Sequence, residues 1–340
     1  MKIRLRCLSI LLVVFSVIGS EAPDIHSQVT PQSKLIEGAK KESRFVWYTS
    51  MAIDLSRPLL DAFAKEYPFL KGEVVRAGNE QITNRVLNET RAGKWAFDLL
   101  SISSVELFVD RGILIPYLSP ERDAYIDEFK DPQGHWTSLY NSNLVLMYNT
   151  RLVHEKDVPR NYPDLLDAKW KGKLLMDSTD YDWFGTLALA WGKTRAVNYM
   201  KQLARQDLTW RRGHGLVAQL IGAGELPLGW AYTFRVERMK KEGAPVDWSD
   251  TFDPIVTTVH GIGVSSKAAN PNSARLFVDF ALSRRSQQMI RDLRLVPSRR
   301  DVEPLVAKMD QNRLKIKRIP KEVSLNTDQH AKEFRELFGI

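Results

Sequence analysis

The chain has 340 residues, too many for one ordinary hydrophobic core, and this length indicates about two domains. Hydrophobic residues make up 44% and charged residues 26%, with no low-complexity tract, which excludes an intrinsically disordered protein. The net charge of +8 comes from basic residues scattered among acids, which argues against a nucleic-acid-binding protein.

The N-terminus has the pattern of a secretory signal peptide. Three basic residues lead into an apolar run from Cys7 to Ile18, and residues 19–22 offer small side chains for cleavage. The run is too short for a membrane-spanning helix, which needs about 20 residues. We therefore expect residues 1–22 to be removed and the mature protein to be periplasmic. Because Cys7 is the only cysteine, the mature chain is expected to lack disulfides and lipid anchors.

Strand and helix patterns alternate over the next hundred residues. Segments 44–48, 72–76 and 97–102 have the composition of buried strands, and each precedes a helical pattern. The third helix is expected to open at Ser103 and Ser104. This β-α-β-α-β-α order predicts a parallel sheet with right-handed crossovers.

Polar residues occupy the loops that follow these three strands. The carboxyl ends of parallel strands meet at one edge of a sheet, where ligands bind. Each loop also precedes a helix N-terminus, whose free N–H groups favour anionic or oxygen-rich ligands, although plain helix capping uses the same residue types. The ligand-binding candidates in this part of the chain are Tyr48, Thr49, Ser50, Asn79, Ser103 and Ser104, with Arg76 as a cation.

Two further strands are expected to cross between two lobes. Residues 138–150 (SLYNSNLVLMYNT) alternate apolar side chains with a strand period, and residues 255–265 carry the chain back. Two crossovers between α/β lobes make a hinge and a cleft, with Tyr140 at the first crossover as a ligand candidate. The predicted fold is α/β with two lobes, each a mostly parallel sheet flanked by helices. Lobe 1 is expected at 33–140 and 260–340, and lobe 2 at 141–259.

The second lobe supplies candidates from three loops. A polar and aromatic cluster at 177–184 opens a helix, Arg211-Arg212-Gly213 precedes another, and residues 229–232 end a short strand. Trp183 and Phe184 are expected in the core, and His214 and His260 are expected to be structural. The last helix, with Phe334 on its apolar face, is expected to dock on the body. The candidates in this lobe are Ser178, Tyr181, Arg212 and Tyr232.

The sequence carries no motif that demands catalysis. It lacks the G-x-S-x-G, H-E-x-x-H, C-x-x-C and G-x-x-x-x-G-K-[ST] patterns, and its six histidines show no metal-ligand spacing. A non-enzymatic protein without a cofactor is therefore expected. A secreted hydrolase acting on a small ester or phosphoester is the alternative from another functional class.

Several stretches together resemble the type II periplasmic solute-binding proteins, the receptor subunits of ABC importers. They are VWYTSM, FDLLSISSVELF, LVLMYNT, YPDLLDAKWKGKLLM and ANPNSARLFVDFALSRRSQQMI, in the family's order over about residues 33–300. The chain is most similar to the branch with receptors for ferric ion, phosphonates and other small solutes. The resemblance implies two lobes that close on a solute and then dock on an ABC permease in the inner membrane. A monomer that contacts no nucleic acid is expected.

The resemblance leaves the transported ligand open. Ferric receptors of this kind usually present adjacent tyrosines in the second lobe, where this chain has only Tyr232. If Fe³⁺ is the transported ligand, Glu80, Tyr181 and Tyr232 are the oxygen ligands expected. A small organic or phosphonate anion would instead use the helix N-termini, loop hydroxyls and the cation Arg212. A sugar or organic cation against the aromatic side chains ranks below both.

Overall fold

The structure is a computed structural model that describes residues 31–340. The predicted signal peptide at residues 1–22 lies outside the described residues. Within the described part, no helix combines the length and apolarity that a membrane span requires.

One mixed sheet runs through the described residues. Its strands follow the order β2-β1-β3-β10-β5-β8-β6-β7, with β4 and β11 beside β10 and β9 beside β5. The strands are β1 (Arg44–Thr49), β2 (Lys71–Arg76), β3 (Leu99–Ile102), β4 (Leu114–Ile115), β5 (Thr137–Asn149), β6 (Leu174–Asp177), β7 (Thr209–Arg211), β8 (Leu228–Tyr232), β9 (Val246–Trp248), β10 (Ile255–Ser265) and β11 (Ile316–Arg318).

Helices cover both ends of this sheet. We call the part built on β1, β2 and β3 lobe 1 and the part built on β6, β7 and β8 lobe 2. The helices are α1 (Gln32–Glu42), α2 (Ile53–Glu66), α3 (Asn79–Arg91), α4 (Tyr181–Trp191), α5 (Lys193–Leu203), α6 (His214–Ala223), α7 (Thr233–Lys241), α8 (Pro271–Leu282), α9 (Arg284–Asp292), α10 (Lys321–Leu325) and α11 (Thr327–Phe338).

The strand pairing within each lobe is parallel, as the β-α-β pattern predicts. In lobe 1, β1 pairs in parallel with β2 and β3, and in lobe 2, β6 pairs in parallel with β7 and β8. The prediction of a third helix after β3 was wrong, because residues Val105–Phe108 form only a short 3₁₀ helix. That segment packs into the lobe 1 core through Val105 and Phe108, which leaves no continuous helix after β3.

The two crossover strands join the lobes side by side. All residues of β5 are buried, and β5 pairs antiparallel with β10, with Leu144 opposite Val256 and Thr137 opposite Ile262. β10 also pairs antiparallel with β3 of lobe 1, and β5 with β8 of lobe 2. Each crossover strand places residues in the hydrophobic cores of both lobes. The register shifts between His260 and Gly261. The expected crossovers at 138–150 and 255–265 are confirmed, and the lobe boundaries within them stay predictions.

The C-terminal residues make a third connection between the lobes, which we call the strap (residues 316–326). In the strap, β11 lies beside β10 and α10 contacts both α4 and the 3₁₀ turn at Val105–Phe108. Arg318 binds Glu106 at 2.6 Å and Lys321 binds Asp110 at 2.5 Å, both in lobe 1. The following α11 packs on lobe 2 with Phe334 fully buried, which confirms the predicted docking of the last helix.

A buried carboxyl group in lobe 1 predicts a pH-dependent stability. Asp279 accepts a hydrogen bond from the Tyr117 hydroxyl at 2.7 Å, and its Oδ1 has no hydrogen-bond partner among the described residues. Burial raises the pKa of Asp279 from 3.8 to about 6. The folded state therefore binds the carboxyl proton of Asp279 more tightly than the unfolded state does. The free energy of unfolding falls as pH rises from 3.8 to about 6, because Asp279 has to ionise while buried.

We expect Asp279→Asn to remove this loss of stability at higher pH, because asparagine is neutral and still accepts the hydrogen bond from the Tyr117 hydroxyl. Urea unfolding should find the variant more stable than the wild type at pH 7.5 by about 1–3 kcal/mol, with no gain near pH 4. A stability difference that is the same at both pH values would contradict the assignment.

Candidate functional site

A cavity of about 700 Å³ lies between the two lobes. Its walls come from the segments that follow β1, β2, β3, β6, β7 and β8, and the crossover strands β5 and β10 contribute between them. This is the carboxyl edge of both parallel sheets, where polar groups at helix N-termini collect. Of the predicted ligand-binding residues, those that line the cavity are Ser50, Asn79, Ser103, Ser104, Tyr140 and Tyr232.

Part of the lobe 1 wall is a network of neutral polar groups, beside the carboxylates of Asp54 and Glu106 that also line the cavity. Asn79 accepts a hydrogen bond from the Ser103 backbone N–H at 3.0 Å and donates one to Ser104 Oγ at 3.2 Å. Thr83 Oγ1 lies 3.1 Å from the same Ser104 oxygen. The side chain of Asn79 thus holds the loop after β3 against the start of α3, and no formal charge is involved.

Two aromatic rings from the crossover strands lie against each other at the cavity. The Tyr140 ring stacks on the His260 ring with a centroid distance of 4.1 Å and an interplanar angle of 9°. Burial lowers the pKa of His260 to about 3 and raises the pKa of Tyr140. Both rings are therefore neutral near pH 7, and they offer an apolar face rather than a charge.

The lobe 2 wall contains an ion pair that the sequence did not reveal. His214, at the start of α6, places Nε2 3.1 Å from Asp180 Oδ1. On the opposite side of the ring, Nδ1 lies 3.3 Å from the Trp230 carbonyl oxygen and 3.8 Å from Asp177 Oδ2. Both ring nitrogens face acceptors, so both carry protons and the ring is an imidazolium.

The charges around His214 agree with this geometry. Burial alone would lower its pKa, but Asp180, Asp177 and the Trp230 carbonyl raise the pKa of His214 above its usual value. Burial raises the pKa of Asp180, and the adjacent imidazolium opposes that shift. The pair behaves as a desolvated carboxylate and its counter-ion.

Asp177, Asp180 and His214 place their ligand atoms within 4.8 Å of one another, which is short enough for a metal ion. The arrangement does not favour one, because the two carboxylates lie at opposite nitrogens of the ring. The carboxylate of Asp177 also accepts hydrogen bonds from the Thr179 backbone N–H, the Thr179 hydroxyl and the Gly213 backbone N–H. The cluster is a hydrogen-bonded ion pair that shapes the loop between β7 and α6.

Tyr232 ends β8 beside this ion pair. Its ring meets the His214 ring edge-on at 4.7 Å and stacks on Phe234 at 5.9 Å. Burial raises the pKa of Tyr232, and the carboxylate of Asp180 adds to the shift. The side chain is therefore a neutral phenol in the structure, able to donate or accept one hydrogen bond.

The cavity is lined by the cations Arg235, Arg238 and Arg318, and the prediction of Arg212 as the cation of the site was wrong. Arg212 is exposed and does not line the cavity, whereas Arg235 in the first turn of α7 does. The Nε of Arg235 has no hydrogen-bond partner among the described residues, and its guanidinium lies over Gly215 at the start of α6. Arg318 also lines the cavity but is paired with Glu106.

Two predicted residues of β1 face away from the cavity. Tyr48 is buried, stacks on Phe97 at 5.2 Å and bonds Glu89 through its hydroxyl at 3.1 Å. Thr49 is fully buried and lies 2.7 Å from Ser101 Oγ, so its hydroxyl is satisfied inside the sheet. Both lie within a central strand, where side chains pack on neighbouring layers rather than at the sheet edge.

The remaining predicted residues also lie outside the cavity. Tyr181 packs on Phe334 of α11 and accepts a hydrogen bond from Arg335 at 2.8 Å, because α11 covers this end of α4. Ser178 does not line the cavity, since the loop after β6 turns Asp177, Thr179 and Asp180 toward it instead. Glu80 is exposed in the first turn of α3. The expected iron ligands Glu80, Tyr181 and Tyr232 are therefore not brought together.

Comparisons with known proteins find similarity to bacterial solute-binding proteins. A family model described as "Bacterial extracellular solute-binding protein" matches residues 97–218. An uncharacterised protein of Haemophilus influenzae is 26% identical over 269 residues, covering 74% of this chain and 76% of that protein. Iron-bound HitA from Pseudomonas aeruginosa superposes with a TM-score of 0.73 at 19% identity, covering 86% of this chain and 99% of that one.

A second solved structure carries a different ligand. The periplasmic binding protein AfuA from Actinobacillus pleuropneumoniae, with fructose-6-phosphate bound, superposes with a TM-score of 0.69 at 23% identity. The alignment covers 87% of this chain and 99% of that one. The predicted two-lobed α/β fold is confirmed by these structures, whose ligands differ.

Proposed function

Since the chain is a type II solute-binding protein, we propose that it is the substrate-binding subunit of an ABC importer. It captures a small solute between its lobes, closes at the crossover strands, and presents the closed form to a permease. The observation that carries this proposal is the cavity of about 700 Å³ between lobes joined by β5 and β10. A monomeric periplasmic protein without catalytic turnover fits a family of transport binding proteins.

Closure predicts a change in overall dimensions. With a saturating ligand, small-angle scattering should show a smaller radius of gyration than for the free protein, because the solute bridges both walls of the cavity. Unchanged scattering at saturation, with binding established by calorimetry, would contradict a closing receptor.

We propose a small organic anion as the solute. Arg235 and Arg238 line the same wall of the cavity, and the Nε of Arg235 has no hydrogen-bond partner within residues 31–340. The N-termini of α6 and α7 also reach the cavity, at Gly213 to Gly215 and at Tyr232. First-turn N–H groups have no partner inside their helix, so they suit carboxylate, phosphate or phosphonate oxygens.

Ferric ion is the second candidate, and the iron-bound HitA relative supports it. Tyr140 and Tyr232 both line the cavity and would provide hard oxygen ligands. Against iron, burial keeps both phenols protonated in the free protein, and the residue before Tyr232 is the buried Ala231 rather than a second tyrosine. We favour the organic anion because Arg235 and the N-termini of α6 and α7 reach the cavity, whereas iron would require both tyrosines to lose their protons.

A thermal-shift panel on dialysed mature protein separates the two candidates. Ferric citrate, citrate alone, phosphonates, sugar phosphates, dicarboxylates and neutral sugars are compared at matched ionic strength. A ligand at 100 times its dissociation constant adds about 2.7 kcal/mol, which gives a clear shift. Stabilisation by ferric citrate but not by citrate, with a tyrosinate colour, would replace the organic anion by iron.

Arg235 and Arg212 form a matched pair for testing the anion. We expect Arg235→Gln to weaken the best anion of the panel at least about tenfold in calorimetry, because a charge-assisted hydrogen bond is lost. Arg212→Gln removes the same charge from an exposed position outside the cavity and should leave the affinity within about twofold. Equal effects of the two variants would mean that only long-range charge attracts the ligand.

The phenol of Tyr232 gives a second test of the site. We expect Tyr232→Phe to lower the affinity for the same anion about fivefold to tenfold, the worth of one hydrogen bond at a desolvated position. Calorimetry against Tyr181→Phe, whose hydroxyl bonds Arg335 outside the cavity, provides the control. An unaltered affinity would remove Tyr232 from the set of ligand contacts.

A further inference from the structure

Asp180 lines the cavity and has a carboxylate oxygen with no hydrogen-bond donor among the described residues. Its side chain is only 5% exposed, and Oδ1 is occupied by His214 at 3.1 Å. Its other oxygen, Oδ2, is buried and has no hydrogen-bond partner among the described residues, while the residue itself lines the cavity. A buried carboxylate oxygen without a hydrogen-bond donor raises the free energy of the folded protein, and a ligand in the cavity that supplies a donor would lower it.

His214 cannot supply contacts to a ligand through its ring nitrogens. One N–H donates to Asp180 and the other to the Trp230 carbonyl oxygen. The imidazolium instead neutralises Asp180 and fixes its rotamer, because the position of His214 is set by α6 and by the Asp177 carboxylate that binds Gly213. His214 is therefore a positioning residue for Asp180.

We propose that Asp180 selects the solute by accepting a hydrogen bond, through Oδ2, from a hydroxyl or ammonium group of the ligand. This inference rests on the proposed function and deepens it. An ionised carboxylate accepts hydrogen bonds only, so the part of the solute beside Asp180 has to be a donor. The anionic part of the solute lies toward Arg235. The cavity therefore takes an organic anion that also carries a hydroxyl or ammonium group, and it rejects the analogue without that donor.

The rejection should be strong, because the analogue would leave Oδ2 buried and unpaired. Sites built to bind a substrate hydroxyl discriminate by about 10⁴ against analogues that lack it, whereas an apolar pocket discriminates only by about 10². We expect at least about 100-fold for this cavity, since part of its lining remains open to water.

The experiment uses pairs of probes that differ only in the donor. They are 2-aminoethylphosphonate against ethylphosphonate, glycerol 3-phosphate against propyl phosphate, and glucose 6-phosphate against hexyl phosphate. Calorimetry on the wild-type full mature chain should show binding for the donor-bearing member of at least one pair, at least about 100-fold tighter than its analogue. Equal affinities within every pair that binds would overturn the role of Asp180 and leave the receptor function standing.

Variants then assign the discrimination to this residue. Asp180→Asn should weaken the donor-bearing probe by about 10-fold to 100-fold and change its analogue by less than about threefold. Asp279→Asn, which removes a buried carboxylate in lobe 1 outside the cavity, is the matched control and should change neither. If Asp180→Asn weakens both members alike, the residue has only a structural role.

The positioning role of His214 has its own readout. The ring resonances of His214 in nuclear magnetic resonance should titrate at a lower pH in Asp180→Asn than in the wild type, because its counter-ion is lost. An unchanged titration would overturn the pairing. A panel in which no anion binds but ferric citrate stabilises the protein would overturn the anion receptor and this inference together.

Discussion

Replacing Trp230 by alanine should lower the free energy of unfolding by about 3–5 kcal/mol, the range for removing a buried tryptophan. Trp230 is 1% exposed in the middle of β8. Its ring packs on Trp183 at 5.5 Å, on Phe252 at 5.3 Å and on Tyr162 at 5.8 Å. This aromatic cluster supports the wall that carries His214, so its loss opens a cavity beneath the site.

Urea unfolding of Trp230→Ala and of a matched tryptophan variant tests this prediction. Trp95 in lobe 1 is only partly buried and stacks at 6.3 Å on Phe97, so Trp95→Ala should cost about 1 kcal/mol. Comparable losses for both variants would show that the cluster around Trp230 packs less tightly than the structure implies.

Replacing Gly263 by alanine should destabilise the protein by about 2–3 kcal/mol, near the top of the range for overpacking. Gly263 lies in the crossover strand β10, and a Cβ there would come 2.6 Å from the backbone oxygen of His135. A backbone atom cannot rotate aside as a side chain can, so the strand itself must move. Because β10 has residues in the cores of both lobes, the displacement reaches both lobes.

Two other glycines make the comparison specific. A Cβ at Gly261 would meet the Val105 and Trp136 side chains, which can adjust, so Gly261→Ala should cost less than Gly263→Ala. A Cβ at Gly78 would have its nearest neighbour at 3.5 Å, an ordinary contact, and Gly78→Ala should change thermal stability little. An equal loss for Gly78→Ala and Gly263→Ala would rule out crowding at His135 as the cause.

The fold was predictable because its signals are local and periodic. Strand patterns in the sequence located both crossover strands to within one residue at each end, and the β-α-β order predicted the parallel pairing in each lobe. The helix expected at Ser103 failed because Val105 and Phe108 are drawn into the lobe 1 core within a single turn. Local helical periodicity carries no information about these tertiary contacts.

The candidate site was only partly predictable, since lining a cavity depends on where the chain goes afterwards. Loop position after a strand was enough for Ser50 and Tyr232. It failed for Tyr181, because α11, more than a hundred residues later, covers that side chain. The ion pair of Asp180 with His214 joins two loops, and only the polar run after β6 hinted at it in the sequence.

The pairing of β3 with β10 has a consequence for how the protein folds. Ile102 lies opposite Gly261, so the sheet of lobe 1 is completed only by a strand made long after its first three. Such non-local pairing closes large loops and slows folding. Until β10 arrives, β3 presents an unpaired edge, the kind of surface on which other chains nucleate aggregation. A chaperone that holds the nascent chain extended would act on this interval.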